Sequence, residues 1–116
     1  HERWPDNYAQ SQRQLTAMSP QEQRALFERG EELTRLLGAA LESGAAPGDA
    51  PVQALIAAHY AWVTAFWTPN RSAYVGLGRM YVDDPRFAAN YDAVAPGLAV
   101  FMRDAIEAWA EVNLSD

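Results

Sequence analysis

Apolar residues recur every three or four positions along most of the chain, and they do not alternate as they would in half-buried strands. One stripe, between about residues 20 and 42, contains Leu26, Phe27, Leu33, Leu36, Leu37 and Ala40. A second stripe, between about residues 50 and 67, contains Val52, Leu55, Ile56, His59, Val63 and Phe66, with Tyr60, Trp62 and Trp67 beside it. Both stripes predict amphipathic helices.

Local signals predict where these helices begin and end. Ser19-Pro20-Gln21-Glu22 is a capping box, which predicts the start of the first long helix. Gly30 lies inside that helix, where glycine costs about 1 kcal/mol relative to alanine. The segment SGAAPGDAP, residues 43–51, predicts a break, and we expect Asp49 to cap the next helix.

The second half of the chain predicts three further helices. They run from about residue 71 to 82, from Asp84-Pro85 through Tyr91, and from Pro96 to about residue 112. We expect Asp84 to act only as a cap of the turn that follows it. With no strand pattern anywhere in the sequence, the chain is predicted to form an all-α domain.

The N-terminal segment, from about residue 5 to 17, also has a helical pattern, but it is mainly polar. A helix with so little apolar surface gains little from packing, so we expect it to be the least firmly held element. Its few apolar anchors are Trp4, Tyr8, Leu15 and Met18.

The charge and composition of the chain limit its partners. The 116 residues carry a formal net charge of −6, from 15 acidic side chains and 9 basic ones, and all nine are arginine. An acidic chain attracts neither nucleic-acid phosphates nor an anionic membrane, so we expect this segment to contact neither directly. The sequence has no cysteine and no apolar run near the roughly 20 residues that cross a bilayer. We therefore expect a cytoplasmic protein.

Few residues in the chain could carry catalysis. It has two histidines, no cysteine and no lysine, and the adjacent Asp83 and Asp84 have no partner base nearby in sequence. We therefore expect no enzyme, no metal site and no cofactor. His59 leaves alternatives open: a core histidine with one hydrogen-bonded nitrogen, a hydrogen-bonding group in a ligand pocket, or an axial haem ligand.

Aromatic residues make up 11% of the chain, and its four tryptophans fall in three separate predicted elements. Plain core packing explains some of them. However, a domain of this size cannot readily bury so many amphipathic rings, because the polar tips of Trp and Tyr need partners. A cleft lined by such rings would suit a flat, heterocyclic, weakly charged ligand.

A longer motif supports this interpretation. After His59-Tyr60 and 13 further residues comes YVGLGRMYVDDPRFAANYDAVAPGLAVFMRDAI, and residues 2–23 read ERWPDNYAQSQRQLTAMSPQEQ. Both blocks resemble the TipAS antibiotic-recognition domain, found at the C-terminus of many MerR-type transcription regulators. The resemblance implies a small globin-like helical fold without haem. It also implies recognition of thiopeptides or other drug-like compounds in a cleft between helices, in transcription regulation or in antibiotic resistance.

The resemblance further implies a mobile N-terminal lid, residues 1–18, over a ligand-binding core, residues 19–116. We expect either an excised effector domain or a stand-alone drug-sequestering protein. DNA binding would need a helix-turn-helix that this sequence lacks, and we expect a monomeric fragment and a dimeric full-length regulator. Family members that trap thiopeptides covalently use a cysteine, which is absent here, so capture should be reversible.

Ligand contacts are expected from the residues that match the lining of the family's cleft: Trp4, Tyr8, His59, Trp62, Phe66, Tyr74, Leu77, Tyr81, Phe87 and Tyr91. Among these, Trp4 and Tyr8 would belong to the lid. The alternative function is a protein-interaction module whose cleft receives a peptide or another helix of the same regulator.

Overall fold

A computed structural model describes residues 17–116, which form five α-helices and no β-strand. The helices are α1 (Pro20–Glu42), α2 (Ala50–Val63), α3 (Arg71–Asp83), α4 (Pro85–Val94) and α5 (Leu98–Asn113). The predicted all-α fold is confirmed. Trp4, Tyr8 and nearly all of the predicted N-terminal helix lie outside the described residues.

Helix α1 begins at the predicted capping box. The backbone N–H of Ser19 donates to Glu22 Oε1 at 2.9 Å, and the backbone N–H of Glu22 donates to Ser19 Oγ at 3.1 Å. The predicted apolar stripe is only partly buried, however. Leu33 and Leu37 are in the core, whereas the side chains of Phe27 and Leu36 are 57% and 44% exposed. The apolar stripe of α1 therefore faces the core at Leu33 and Leu37 and solvent at Phe27 and Leu36.

The segment from α1 to the end of α2 differs from the prediction in two places. Asp49 occupies the N-cap position of α2 but makes no side-chain bond to the helix; instead its Oδ2 accepts the N–H of Ala46 at 2.9 Å. Helix α2 ends at Val63 rather than near residue 67, because the N–H groups of Phe66 and Trp67 both donate to the Val63 carbonyl. This tight turn carries two of the aromatic rings described below.

Asp84 closes α3 and caps α4, as predicted, by accepting the backbone N–H of Arg86 at 2.9 Å. Hydrogen bonds from Arg86 lower the pKa of this carboxyl. Helix α5 begins at Leu98, two residues after the predicted start. Its N-cap is Gly97 in the left-handed region, with φ of 86°, and its first turn is capped from a distance, by Asp92 Oδ1 accepting the N–H of Ala99.

Helix α5 is the centre of the core, and its most extensive contact is with α3. The two helices approach closely at Gly78, where an added Cβ would lie 3.4 Å from the Cα of Arg103. The buried residues of α5 are Leu98, Ala99, Phe101, Met102, Ala105, Ile106 and Ala110. Because α5 supports α3 from one side, the aromatic residues of α2, α3 and α4 on the other side meet beneath α1.

A candidate ligand cleft beneath helix α1

The first part of the cleft is a hollow of about 270 Å³ between α2, α3 and α4, here called the α3 hollow. Six of the predicted ligand-contact residues line it together. The complete lining is Trp62, Val63, Phe66, Trp67, Leu77, Met80, Tyr81, Phe87 and Tyr91. The lining is mainly apolar, with the tip of Tyr81 turned towards His59, which is the composition expected for an aromatic heterocycle.

A second hollow of about 220 Å³ lies between α1 and α2, here called the α1 hollow. Its lining is Phe27, Gly30, Glu31, Thr34, His59, Trp62 and Tyr91. Outside it, between α1 and α4, runs an open groove of about 500 Å³ that is lined by Glu31, Thr34, Arg35, Phe87, Asn90, Tyr91 and Val94. The groove has carboxylate, guanidinium and amide groups, so the cleft becomes more polar towards its mouth.

A further depression, of about 490 Å³, lies along the charged side of α1. A single helix provides all of its lining: Ala25, Glu28, Arg29, Glu31, Glu32 and Arg35. Arg29 and Glu32 form an exposed ion pair there, at 2.6 Å. A surface built from one helix face cannot enclose a ligand, so we do not include this depression in the cleft.

Trp62 projects from α2 across the cleft to the backbone of α1. Its indole Nε1–H donates to the carbonyl of Leu26 at 2.8 Å. The ring then lies directly on Gly30, where an added Cβ would be only 2.6 Å from Trp62 Cζ2. Gly30 weakens the helix, but it also has a packing function, because only a residue without a side chain leaves room for the indole.

His59 is almost completely buried behind Trp62, with 3% exposure. Its Nδ1 is 2.7 Å from the hydroxyl of Tyr74, and its Nε2 is 3.4 Å from the hydroxyl of Tyr81. Burial lowers the pKa of His59 to about 4, so the ring is neutral at pH 7. A neutral imidazole has one donor and one acceptor nitrogen, so one tyrosine donates to the ring and the other accepts from it.

At the cleft surface the ring of Tyr81 packs against that of Tyr91, at a centroid distance of 4.7 Å. Burial raises the pKa of Tyr74 and of Tyr81, and both hydroxyls stay protonated. His59 is therefore closest to the first of the predicted alternatives, a core histidine, but with a partner at both nitrogens. Coordinating a haem iron would break one of these buried hydrogen bonds.

Tyr74 lies behind the cleft wall rather than in it. It is fully buried and lines neither hollow nor the groove. Its ring packs edge-on against Tyr60, at a centroid distance of 4.9 Å, and against Trp109 at 5.8 Å. Its contribution to the site is to position His59, whereas the sequence suggested direct ligand contact.

Several lining residues were not predicted. Met80 is three positions after Leu77 on the same face of α3, a spacing that the sequence does contain. Phe27, Gly30 and Thr34 also form a helical face, on α1. Their sequence signal was ambiguous, because the same pattern is typical of an ordinary core stripe.

Within residues 17–116 there is no group of three His, Asp or Glu side chains placed to bind a metal ion. None of the helices α1 to α5 has the length and apolarity that a membrane span needs.

Comparisons with known proteins identify the family of the chain. The model of the TipAS antibiotic-recognition domain matches residues 1–109. The chain is similar to the HTH-type transcriptional regulator SkgA of Caulobacter vibrioides, with 41% identity over 76 residues, 64% of this chain and 30% of SkgA. It is also similar to the HTH-type transcriptional activator TipA of Streptomyces coelicolor, with 33% identity over 108 residues, 90% of this chain and 43% of TipA.

A solved structure from Streptomyces lividans, nosiheptide in complex with TipAS, superposes with a TM-score of 0.83 at 32% identity. The match covers 96% of this chain and 80% of that one. The shared fold is the globin-like helical arrangement expected from the sequence. The chain spans less than half the length of the curated relatives it matches.

Proposed function

Since the chain belongs to the TipAS antibiotic-recognition domain family, we propose that it is a non-enzymatic receptor for a thiopeptide-like or other aromatic heterocyclic compound. The ligand would bind in the cleft formed by the α3 hollow and the α1 hollow. The receptor would act as the effector domain of a MerR-type transcription activator or as a drug-sequestering resistance protein.

The convergence of aromatic side chains on one hollow carries this proposal. Trp62 and Phe66 come from the end of α2, Tyr81 from α3, and Phe87 and Tyr91 from α4, and all five line the α3 hollow. Each well-oriented aromatic pairing contributes about 0.5–1.5 kcal/mol beyond the burial of area. Two or three such pairings with a heterocycle are enough to select it over a flexible apolar compound.

The polar groups of the cleft suit a ligand of low charge. The neutral His59 imidazole and the Tyr81 and Tyr91 hydroxyls lie at the buried end. The exposed Glu31 borders both the α1 hollow and the groove, and Arg35 lines the groove. A charged ligand atom at the buried end would lose its hydration without an opposite charge. With no cysteine in the chain, binding is reversible and non-covalent.

The remainder of the proposal concerns segments beyond the described residues. Residues 1–18 would close over the bound ligand, with Trp4 and Tyr8 as the aromatic contacts of the lid. Ordering such a lid costs on the order of 1–2 kcal/mol per residue, so a small ligand can bind without closing it. DNA contact would come from another part of a cytoplasmic regulator, while this segment by itself is monomeric.

A nosiheptide titration followed by tryptophan fluorescence tests the proposal. We expect quenching in the wild-type protein and roughly tenfold weaker binding in the Leu77→Ala variant, which loses apolar contact in the α3 hollow. Leu36→Ala is the matched control, because Leu36 is 44% exposed on α1 and lines none of the hollows. Equal affinities for the two leucine variants would place the binding site elsewhere.

The same complex tests the lid by amide hydrogen exchange. We expect residues 4–17 to gain protection when nosiheptide is bound. Tight binding without added protection in this segment would contradict the lid but leave the receptor function intact.

A second function, docking of a peptide or helix from the same regulator, is favoured by one observation. Phe27, a large apolar side chain at the mouth of the α1 hollow, is 57% exposed. Light scattering coupled to size exclusion separates the two functions. A dimer of this segment that forms without ligand and is lost in Phe27→Ala would support docking, and a monomer would support the receptor.

A further inference from the structure

Two residues separate the hollows of the cleft. Trp62 and Tyr91 line both the α3 hollow and the α1 hollow, so their rings lie between the two spaces. At about 270 Å³ and about 220 Å³, each hollow is smaller than the roughly 300–1,000 Å³ of ordinary ligand pockets. Joined, the two hollows fall within that range, as the open groove between α1 and α4 does by itself. A ligand that occupies both hollows at once needs one of the two residues to move.

Tyr91 packs against a buried residue of the cleft wall. Its ring centroid is 4.7 Å from that of Tyr81. Tyr81 is buried, and its hydroxyl lies near Nε2 of His59. Moving Tyr91 would therefore remove packing from Tyr81, the buried neighbour of His59.

The contacts of Trp62 can be broken without leaving a buried acceptor unpaired. Its indole makes one hydrogen bond, to the Leu26 carbonyl, and its ring centroid lies 5.2 Å from that of the half-buried Phe66 and 5.6 Å from that of His59. The Leu26 carbonyl lies within helix α1, where a carbonyl also accepts the backbone bond of the helix, so it stays satisfied when the indole leaves. Nothing buried and polar is left without a partner except the indole N–H, which can bond to water or ligand.

From these contacts we propose that Trp62 is a movable partition that determines the size of ligand the cleft accepts, and that Gly30 is its positioning residue. This inference rests on the proposed receptor function. With the indole seated on Gly30, compounds of one or two rings occupy a single hollow. A compound as large as a thiopeptide has to lift the indole from Gly30 and join the hollows.

Two probes of different size test the partition: nosiheptide and the two-ring fragment 4-phenylthiazole. The variant is Trp62→Phe, which removes the indole N–H and the outer ring but keeps an aromatic face. Because the large probe no longer has to break the bond to Leu26, we expect its affinity relative to the fragment to rise about threefold to tenfold. Trp109→Phe is the matched control, since Trp109 lines neither hollow, and its affinity ratio should equal that of the wild type.

The function of Gly30 is testable without ligand. A Cβ at Gly30 would be 2.6 Å from the indole, so Gly30→Ala should unseat it. We expect the Trp62 indole N–H resonance to shift and to lose its protection from solvent exchange. Gly76→Ala is the control, because an added Cβ there meets nothing within 4 Å.

A double-mutant cycle of Gly30 and Trp62, followed by melting temperature, tests the same contact. The effect of Gly30→Ala on the melting temperature should change sign when the indole is removed. Gly30→Ala should lower the melting temperature of the wild-type protein by a few degrees. In the Trp62→Ala background it should raise the melting temperature by roughly 4–8 °C, because alanine is the better helix former once the indole is gone. The same sign in both backgrounds would contradict positioning by Gly30.

Two binding outcomes separate a failure of the Trp62 partition from a failure of the proposed receptor function. If neither probe binds the wild-type protein or Trp62→Phe, the receptor function fails and the partition fails with it. If both probes bind and their affinity ratio is the same in the wild type, Trp62→Phe and Trp109→Phe, the receptor stands and Trp62 is a fixed wall.

Discussion

Two aromatic clusters lie on opposite sides of His59. The rings of one cluster pack against each other in the interior, whereas those of the other border open space. The interior cluster consists of Tyr60, Tyr74 and Trp109, and its ring centroids are 4.9–5.8 Å apart. The cleft cluster consists of Trp62, Phe66, Tyr81, Phe87 and Tyr91, and it borders two hollows. Both clusters contain similar residue types, so aromatic content alone does not decide which becomes solid and which stays open.

The neighbouring helices account for the difference. Trp109 is a residue of α5, the most buried helix, and it closes the interior cluster against the core. The cleft cluster is covered instead by α1, which presents a glycine and the short side chain of Thr34 at this point. The Trp62 indole fills the space over Gly30, and the α1 hollow remains beside this contact. The interior cluster is closed by a large ring of the core helix, whereas no residue of α5 lines either hollow of the cleft cluster.

The largest expected effect is the contrast in stability between the clusters. Tyr74→Ala should reduce the free energy of unfolding by about 3–5 kcal/mol, because it empties a fully buried site and leaves His59 Nδ1 without its partner. Phe87→Ala should cost less than about 2 kcal/mol, since Phe87 is half-buried beside an existing hollow. Urea unfolding measures both. Equal costs would mean that the cleft is as tightly packed as the core.

The next effect concerns pH at the boundary between the clusters. Burial lowers the pKa of His59 from 6.5 to about 4, so the folded state resists protonation that the unfolded state accepts. The stabilisation of the folded state that comes from a neutral His59 is fully present above pH 6.5 and is lost as the pH falls through about 4. Between pH 7 and pH 5 this group alone should cost about 2 kcal/mol.

His59→Gln isolates that contribution, because glutamine does not titrate while the carboxylates of the two proteins are the same. Measured by urea unfolding at several pH values, the wild type should lose more stability on acidification than the variant. Parallel curves for the two proteins would show that His59 is accessible to protons in the folded state.

The smallest expected effect is on the outer face of α3. Gly76→Ala should raise the free energy of unfolding by about 0.5–1 kcal/mol, since the position is exposed and an added Cβ meets nothing within 4 Å. It should leave nosiheptide affinity unchanged. A change in affinity would show that this face of α3 belongs to the site, which would weaken the distinction between cleft and exterior.

Much of the cleft was predictable from residues near one another in sequence. Trp62 and Phe66 are four residues apart and so share one face of a helix. The Asp84-Pro85 break lies between Tyr81 and Phe87 and ends one helix before the next begins. Both signals can be read from a few neighbouring residues. The same residues line one hollow in the structure. Tyr74 could not be assigned in this way, because its sequence pattern is that of its neighbours Leu77 and Tyr81 and only α5 makes it an interior residue.

Boundaries that depend on distant partners were also missed. Helix α5 begins at Leu98 because Asp92 caps it from seven residues away in a conformation that Gly97 permits. Trp62 reaches Leu26 across 36 residues of chain. No local pattern encodes either contact, since each requires the helices to be packed before the donor and acceptor meet.

The sequence by itself determined the helices, their caps at Ser19 and Asp84, the acidic charge and the family, because hydrogen bonds and side-chain spacing within a turn are local properties. The tertiary structure alone decided which aromatic rings are core and which are cleft wall, and why Gly30 is a glycine. Those outcomes depend on the distance between helices, and at Gly30 that distance leaves no room for a single carbon atom.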